Sequence, residues 1–151
     1  NESGVDVIAV ADPTSSPELL DPNDFSEFAQ PALEDLSAEM ETESILHICG
    51  NSRPILEEML DCGFSGISVE EAVDMTEAQQ VRAETGAETV MVGNVSTSQT
   101  LFSKPVEEVK AEVTQALEKG VNVLAPSCGI APKSPLANLK AFVEARDEFY
   151  Q

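Results

Sequence analysis

The sequence has few basic residues: 8 Lys and Arg stand against 28 Asp and Glu, for a formal net charge of −20 at pH 7. Such an acidic surface repels phosphate backbones and anionic lipid headgroups. We therefore expect no nucleic-acid partner and no membrane partner. The acidic residues are spread along the chain, which indicates a solvated surface and does not identify a partner.

Cysteine and long apolar runs are also scarce. The three cysteines are an odd number without a dense disulfide pattern, which favours a reducing, intracellular setting. No apolar run approaches the roughly 20 residues that span a bilayer, and no signal peptide is visible. These features predict a cytoplasmic protein.

The chain has 151 residues, of which 42% are hydrophobic, enough for the core of one domain. It opens on Asn1, and the first periodic segment begins almost at once. We expect residues 1–151 to form a single domain that is a fragment of a longer chain.

Short runs rich in Val and Ile alternate with amphipathic segments. This pattern predicts five buried parallel strands, at Val5–Ala11, Ser44–His47, Gly66–Val69, Thr89–Val92 and Val121–Ala125. A helix is expected after each strand, because caps and apolar stripes follow in turn. Ser52 is expected to cap one helix, Leu33 and Leu36 to lie on the buried face of another, and Leu136 and Val143 to face inward in the last. Repeated βα units indicate an α/β fold, either a doubly wound sheet or part of a TIM (β/α)₈ barrel, since a whole barrel takes about 250 residues.

The only histidine, His47, is two residues from Cys49 at the end of a predicted strand. Alternate residues of a strand point the same way, so this imidazole and thiol can bind one metal ion. Cys128 follows the last predicted strand and is the expected third ligand, because parallel strands end at one edge of the sheet. One His and two Cys are a typical zinc set that leaves a fourth position open.

The alternative is that His47 is a hydrogen-bonded core residue and that both cysteines are small hydrophobic residues. Cys62 is different, because it follows Ile55 and Met59 at helical spacing and is expected to pack in the core.

Five motifs in order resemble the uroporphyrinogen decarboxylase superfamily: Asp12-Pro13-Thr14-Ser15-Ser16, His47-Ile48-Cys49-Gly50, Ile67-Ser68-Val69-Glu70, Val92-Gly93-Asn94 and Pro126-Ser127-Cys128-Gly129. Within it, the H-x-C pair with a distant Cys resembles the methylcobamide:coenzyme M methyltransferases of methanogenic archaea. The resemblance covers nearly the whole chain, and it implies that residues 1–151 are the carboxyl-terminal half of a larger TIM-barrel enzyme. It further implies that Zn²⁺ is bound by His47, Cys49 and Cys128. It also implies that Glu70 is a catalytic residue and fourth metal ligand, which substrate displaces. Alternatively, Glu70 is an ordinary acid at a helix start.

The implied reaction is methyl transfer from a methylated corrinoid protein to the thiol of coenzyme M, 2-mercaptoethanesulfonate, in methanogenesis. Lys133 and Asn94 are candidates for binding this substrate; alternatively, Lys133 serves solubility and Asn94 closes a turn. The rival functions are a related protein with a different thiol acceptor or decarboxylase activity, and a non-catalytic fragment with a structural zinc. A partial barrel leaves strand edges unpaired, so we also expect self-association.

Overall fold

The computed structural model describes residues 4–151, so residues 1–3 of the predicted domain lie outside the described part. Its sheet has five strands, all paired in parallel and in sequential order. They are β1 (Val7–Ala11), β2 (Glu43–His47), β3 (Gly66–Ser68), β4 (Val90–Val95) and β5 (Val123–Pro126). All five predicted strands are therefore present.

The sequential strand order distinguishes between the two expected architectures. A doubly wound sheet reverses direction at a central strand, whereas barrel strands follow one another around the axis. The order β1-β2-β3-β4-β5 is that of a barrel. The chain thus forms part of a (β/α)₈ barrel, as one of the two readings predicts.

Helices connect successive strands. The α-helical segments are α1 (Pro22–Asp24), α2 (Gln30–Ala38), α3 (Leu56–Asp61), α4 (Met75–Thr85), α5 (Val106–Glu118) and α6 (Leu136–Phe149). Shorter turns adjoin them: 3₁₀ turns at Pro13–Ser15 and Arg53–Ile55, and π turns at Phe25–Ala29 and Thr97–Leu101. Among the described residues, no helix is both long and apolar enough to cross a membrane.

The two faces of the sheet have different environments. Leu46, Ile67 and Met91 are in register on neighbouring strands, are fully buried and form the core with the helices. The next residues of the three strands, His47, Ser68 and Val92, are also in register and point to the opposite face. This second face is the interior side of the barrel, and it carries the histidine at its carboxyl end.

Three details of the predicted packing are wrong. The sequence predicts inward-facing Leu136 and Val143 in α6, but these side chains are 66% and 45% exposed. The buried residues of α6 are instead Asn138, Ala141 and Ala145. Asn138 turns its side of the helix inward because its amide donates to the carbonyls of Leu101 and Lys104, at 3.0 and 2.8 Å.

The other two corrections concern α2 and the start of α3. Leu36 is 42% exposed, whereas Leu33 of the same predicted stripe is buried. Ser52 does not cap the following helix: its side chain is buried, and its hydroxyl has no hydrogen-bond partner among the described residues. A 3₁₀ turn at Arg53–Ile55 separates Ser52 from α3, so Ser52 does not directly precede that helix.

Candidate metal centre

Four potential metal ligands meet at the carboxyl end of the sheet: His47, Cys49, Glu70 and Cys128. Their ligand atoms all lie within 4.8 Å of one another. The Sγ atom of Cys49 is 3.4 Å from His47 Nε2 and 3.9 Å from Cys128 Sγ. Four donor atoms this close can surround a single ion, and the structure thus brings together the residues that the sequence analysis proposed as ligands.

The orientation of His47 is set by the neighbouring strand. Its Nδ1 lies 3.1 Å from the hydroxyl of Ser68, the residue in register with it on β3. When Nδ1 carries the proton and donates it to Ser68, the lone pair of Nε2 points toward the cysteines. Metal-binding histidines commonly donate their second ring N–H in this way. The sequence does not predict this role for Ser68, because the register between β2 and β3 decides which residue lies beside His47.

The charges of the cluster act on the Cys49 thiol. Burial, followed by the Cys128 sulfur and the Glu70 carboxylate, raises the pKa of Cys49 to about 11. Each of these causes disfavours a thiolate, and a bound cation would oppose the two that arise from neighbouring negative groups. The donor set of two sulfurs, one imidazole and one carboxylate fits a borderline-soft divalent ion such as Zn²⁺.

Asp12 continues the pairing of β1 with β2 next to His47. The backbone N–H of Asp12 donates to the carbonyl of His47 at 3.0 Å, which extends the pairing of β1 with β2. Burial alone would raise the pKa of Asp12, but hydrogen bonds from Ser15 and Thr14 lower it below its ordinary value. The Asp12 side chain thus stays charged and organises its own turn.

Asn94 holds the loop that carries Glu70. Its amide nitrogen donates to the backbone carbonyls of Glu70 at 3.2 Å and Val73 at 2.8 Å. These two bonds use both N–H groups of the amide. The predicted role of Asn94 in substrate binding would therefore involve only its carbonyl oxygen.

The basic residues beside the loops differ in their pairing. Arg53 forms an ion pair with Glu77 at 2.7 Å, and Lys104 pairs with Glu108 at 2.8 Å. Lys133 is exposed and has no ion-pair partner within residues 4–151. Of these three bases, Lys133 is thus the one whose charge is not already paired.

Cys62 lies away from the cluster. Its side chain is 1% exposed, and its thiol donates to the carbonyl of Glu58 at 3.2 Å. Burial, with smaller contributions from Glu34, Asp61 and Glu58, raises the pKa of this thiol to about 12. Cys62 is a core residue, as its spacing predicts.

A family model described as uroporphyrinogen decarboxylase (URO-D) matches residues 1–149. Methylcobamide:CoM methyltransferase MtaA of Methanosarcina barkeri is 49% identical over 150 residues, which are 99% of this chain and 43% of that protein. Methylcobamide:CoM methyltransferase MtbA of Methanosarcina acetivorans is 33% identical, over 98% of this chain and 43% of its own length. The chain thus spans less than half the length of these relatives.

A solved structure of a methyltransferase from Methanosarcina mazei superimposes with a TM-score of 0.94. It is 49% identical, and the match covers 99% of this chain and 44% of that protein.

Proposed function

The chain belongs to the uroporphyrinogen decarboxylase family, and on that premise we propose that it is the metal-binding, carboxyl-terminal part of a methyltransferase. This enzyme moves a methyl group from a methylated corrinoid protein to the thiol of coenzyme M. The observation that carries the proposal is the cluster of His47, Cys49, Glu70 and Cys128, with all ligand atoms within 4.8 Å of one another. The 49% identity to the Methanosarcina barkeri enzyme supports the choice of reaction.

His47, Cys49 and Cys128 are the ligands that would hold Zn²⁺. When bound, this ion would lower the pKa of an incoming thiol and fix the position of its sulfur as the nucleophile. The two cysteine thiolates supply as much negative charge as the ion has positive charge. A third sulfur ligand therefore carries excess negative charge, which keeps it reactive toward a methyl group.

Glu70 and Lys133 have supporting roles in this proposal. Glu70 would be the fourth ligand of the ion before substrate binds, and its carboxylate would accept the proton of the incoming thiol. Lys133, exposed and unpaired within the described residues, contributes a positive charge for the sulfonate of coenzyme M. Ser68 keeps the His47 ring oriented through the contact at Nδ1.

The test is methyl transfer from methylcobalamin by the zinc-loaded chain, with coenzyme M, homocysteine and glutathione as alternative acceptors. We expect demethylation of methylcobalamin to be fastest with coenzyme M, to be lost in Cys49→Ala and to persist in Cys62→Ala. Because the chain spans 43% of its relative's length, binding is measured alongside turnover. Coenzyme M added to the cobalt(II)-loaded chain should change the visible absorption spectrum of the metal.

Other outcomes point to the rival functions. Faster transfer to homocysteine or glutathione would indicate a relative with a different acceptor. A metal spectrum that no thiol changes would indicate a closed, structural site.

We also propose that the chain self-associates through the unpaired edge strands of its sheet. In the described part of the chain, β1 and β5 are the edge strands, and their first residues, Val7 and Val123, are 48% and 43% exposed. Unpaired edges and exposed apolar side chains favour pairing with a second copy. Sedimentation velocity should show a dimer or larger species. A strictly monomeric chain at high concentration and high salt, where the charge of −20 is screened, would contradict this proposal.

A further inference from the structure

Glu71 lies next to the candidate ligand Glu70, but its side chain enters a buried polar network behind the metal site. The hydroxyl of Ser96, in the loop after β4, donates to Glu71 Oε1 at 2.6 Å. The second oxygen, Oε2, is inaccessible to solvent and accepts no hydrogen bond of standard geometry within residues 4–151. A buried carboxylate oxygen without a donor is costly, so a nearby hydroxyl is needed.

Ser127 is the group that can supply this donor. It immediately precedes Cys128 and is 1% exposed. Its backbone N–H donates to the Val95 carbonyl at 2.8 Å, and its hydroxyl oxygen accepts from the Thr97 N–H at 3.3 Å. Burial would raise the pKa of Glu71, but the neighbouring Ser127 and Ser96 hydroxyls lower it below its ordinary value. Because the Ser127 oxygen already accepts from Thr97, its hydroxyl proton is left to donate to Glu71.

We propose that Glu71 is a positioning residue of the metal centre, acting through Ser127 to hold Cys128 beside Cys49. Its carboxylate joins the loop after β3 to the loops after β4 and β5. Hydrogen bonds to a carboxylate are stronger than those between neutral groups, so one charged side chain can fix three loops. This role depends on the proposed metal site, in which Cys128 is a ligand.

A second carboxylate of the same network provides a matched control. Glu112 of α5 accepts from the Ser96 N–H at 2.7 Å and from the Thr100 hydroxyl. It thus anchors the loop after β4 to the helix layer. Its hydrogen bonds are to Ser96 and Thr100 in that loop, so its loss should loosen the loop without releasing Cys128.

The experiment counts thiolate ligands in the cobalt(II)-loaded chain through the intensity of the sulfur-to-cobalt charge-transfer absorption. In Glu71→Ala we expect this intensity to fall to that of Cys128→Ala. Zinc affinity, measured by chelator competition, should fall about 10- to 100-fold, the range for residues that orient a ligand. Glu71→Gln keeps an acceptor oxygen for Ser96, and its NH2 group can donate to the Ser127 hydroxyl oxygen, so it should restore most of the intensity. Ser127→Ala should resemble Glu71→Ala, whereas Glu112→Ala should retain both thiolates.

A double variant separates positioning from general loosening of the fold. If Glu71 acts through Cys128, adding Glu71→Ala to Cys128→Ala should change zinc affinity by no more than about twofold, the error of additivity between independent sites. A further large loss of affinity in the double variant would overturn the proposal. So would a Glu71→Ala protein that keeps wild-type charge-transfer intensity.

A metal-free measurement distinguishes failure of this role from failure of the metal site. The equilibrium between the Cys49 and Cys128 thiols and oxidised glutathione yields a protein disulfide and two reduced glutathione molecules. It therefore reports the effective concentration of one thiol near the other. Glu71→Ala should lower this effective concentration about tenfold or more, with no metal present. If the wild-type chain binds no metal, the proposed function fails. If the thiol equilibrium of Glu71→Ala also equals that of the wild-type chain, Glu71 does not position Cys128, and this proposal fails too.

Discussion

The Sγ atoms of Cys49 and Cys128 lie 3.9 Å apart, although the two residues follow β2 and β5, which are separated by two other strands. In a flat sheet, strands three positions apart are about 14 Å from each other. The two thiols therefore meet because the sheet curls around the barrel axis. The curvature of the fold thus creates the candidate metal site.

This distance predicts a disulfide in the metal-free chain. The sulfurs must approach from 3.9 Å to about 2 Å, a movement that side-chain rotation and the exposed loop at Cys128 can supply. With hydrogen peroxide, the two thiols lose two hydrogens and two molecules of water form. Peptide mass spectrometry should find the Cys49–Cys128 bridge, with Cys62 still reduced because it is buried in the core. Prior loading with zinc should slow oxidation; bridges involving Cys62 would contradict the geometry.

Metal content provides the next prediction. We expect one zinc ion per chain in the wild-type protein and in Cys62→Ala. His47→Ala, Cys49→Ala and Cys128→Ala should each weaken zinc binding by more than about 100-fold. Loss of a residue that only orients a ligand already lowers metal affinity by about 10- to 100-fold. Inductively coupled plasma mass spectrometry after chelator competition measures this. Full zinc occupancy in Cys128→Ala would show that the sulfur at 3.9 Å from Cys49 is not a ligand.

The parts of the site that the sequence could predict depend on local geometry. Strand alternation places His47 and Cys49 on one side, and the common edge of parallel strands brings Cys128 to them. The network around Glu71 could not be predicted, because it joins the ends of three strands through side chains with no recognisable spacing. The prediction of which face of α6 points inward was wrong for a related reason. The size of Leu136 and Val143 suggested burial, but the hydrogen bonds of Asn138 to another loop decide which side faces inward.

The proposed role of Glu70 predicts a change in how coenzyme M binds. Glutamine is a weaker metal ligand than glutamate, so Glu70→Gln should bind coenzyme M more tightly if the carboxylate competes with the thiol. The pH dependence of the number of protons released on binding should also differ from that of the wild-type chain, because the variant has lost its proton acceptor.

Calorimetry of coenzyme M binding in two buffers with different ionisation enthalpies counts these protons. Glu77→Gln is the charge-matched control, since Glu77 pairs with Arg53 outside the ligand cluster. Unchanged affinity and an unchanged proton count in Glu70→Gln would remove Glu70 from the mechanism.

The last prediction concerns stability at the start of α4. Asp74 caps this helix by accepting from the backbone N–H groups of Thr76 and Glu77, at 2.9 and 3.2 Å. Its other oxygen pairs with Lys119 at 2.6 Å. Asp74→Ala should lower the free energy of unfolding by about 1 kcal/mol through loss of the cap, whereas Asp74→Asn keeps the cap and should lose less.

The pH dependence of stability reports the charge of Asp74, whose pKa is lowered chiefly by the pair with Lys119 and further by the N–H groups of Glu77 and Thr76. A carboxylate with a folded-state pKa below its ordinary value of 3.8 stabilises the fold above that value. The contribution is lost as the pH falls through the lower, folded-state pKa. The stability difference between the wild-type chain and Asp74→Asn, from urea unfolding, should therefore be constant near neutral pH and vanish in acid. It should also shrink with added salt, because the side chains of Lys119 and Asp74 are 43% and 49% exposed. A difference that stays the same at all pH values would show that the Lys119 pair contributes nothing to stability.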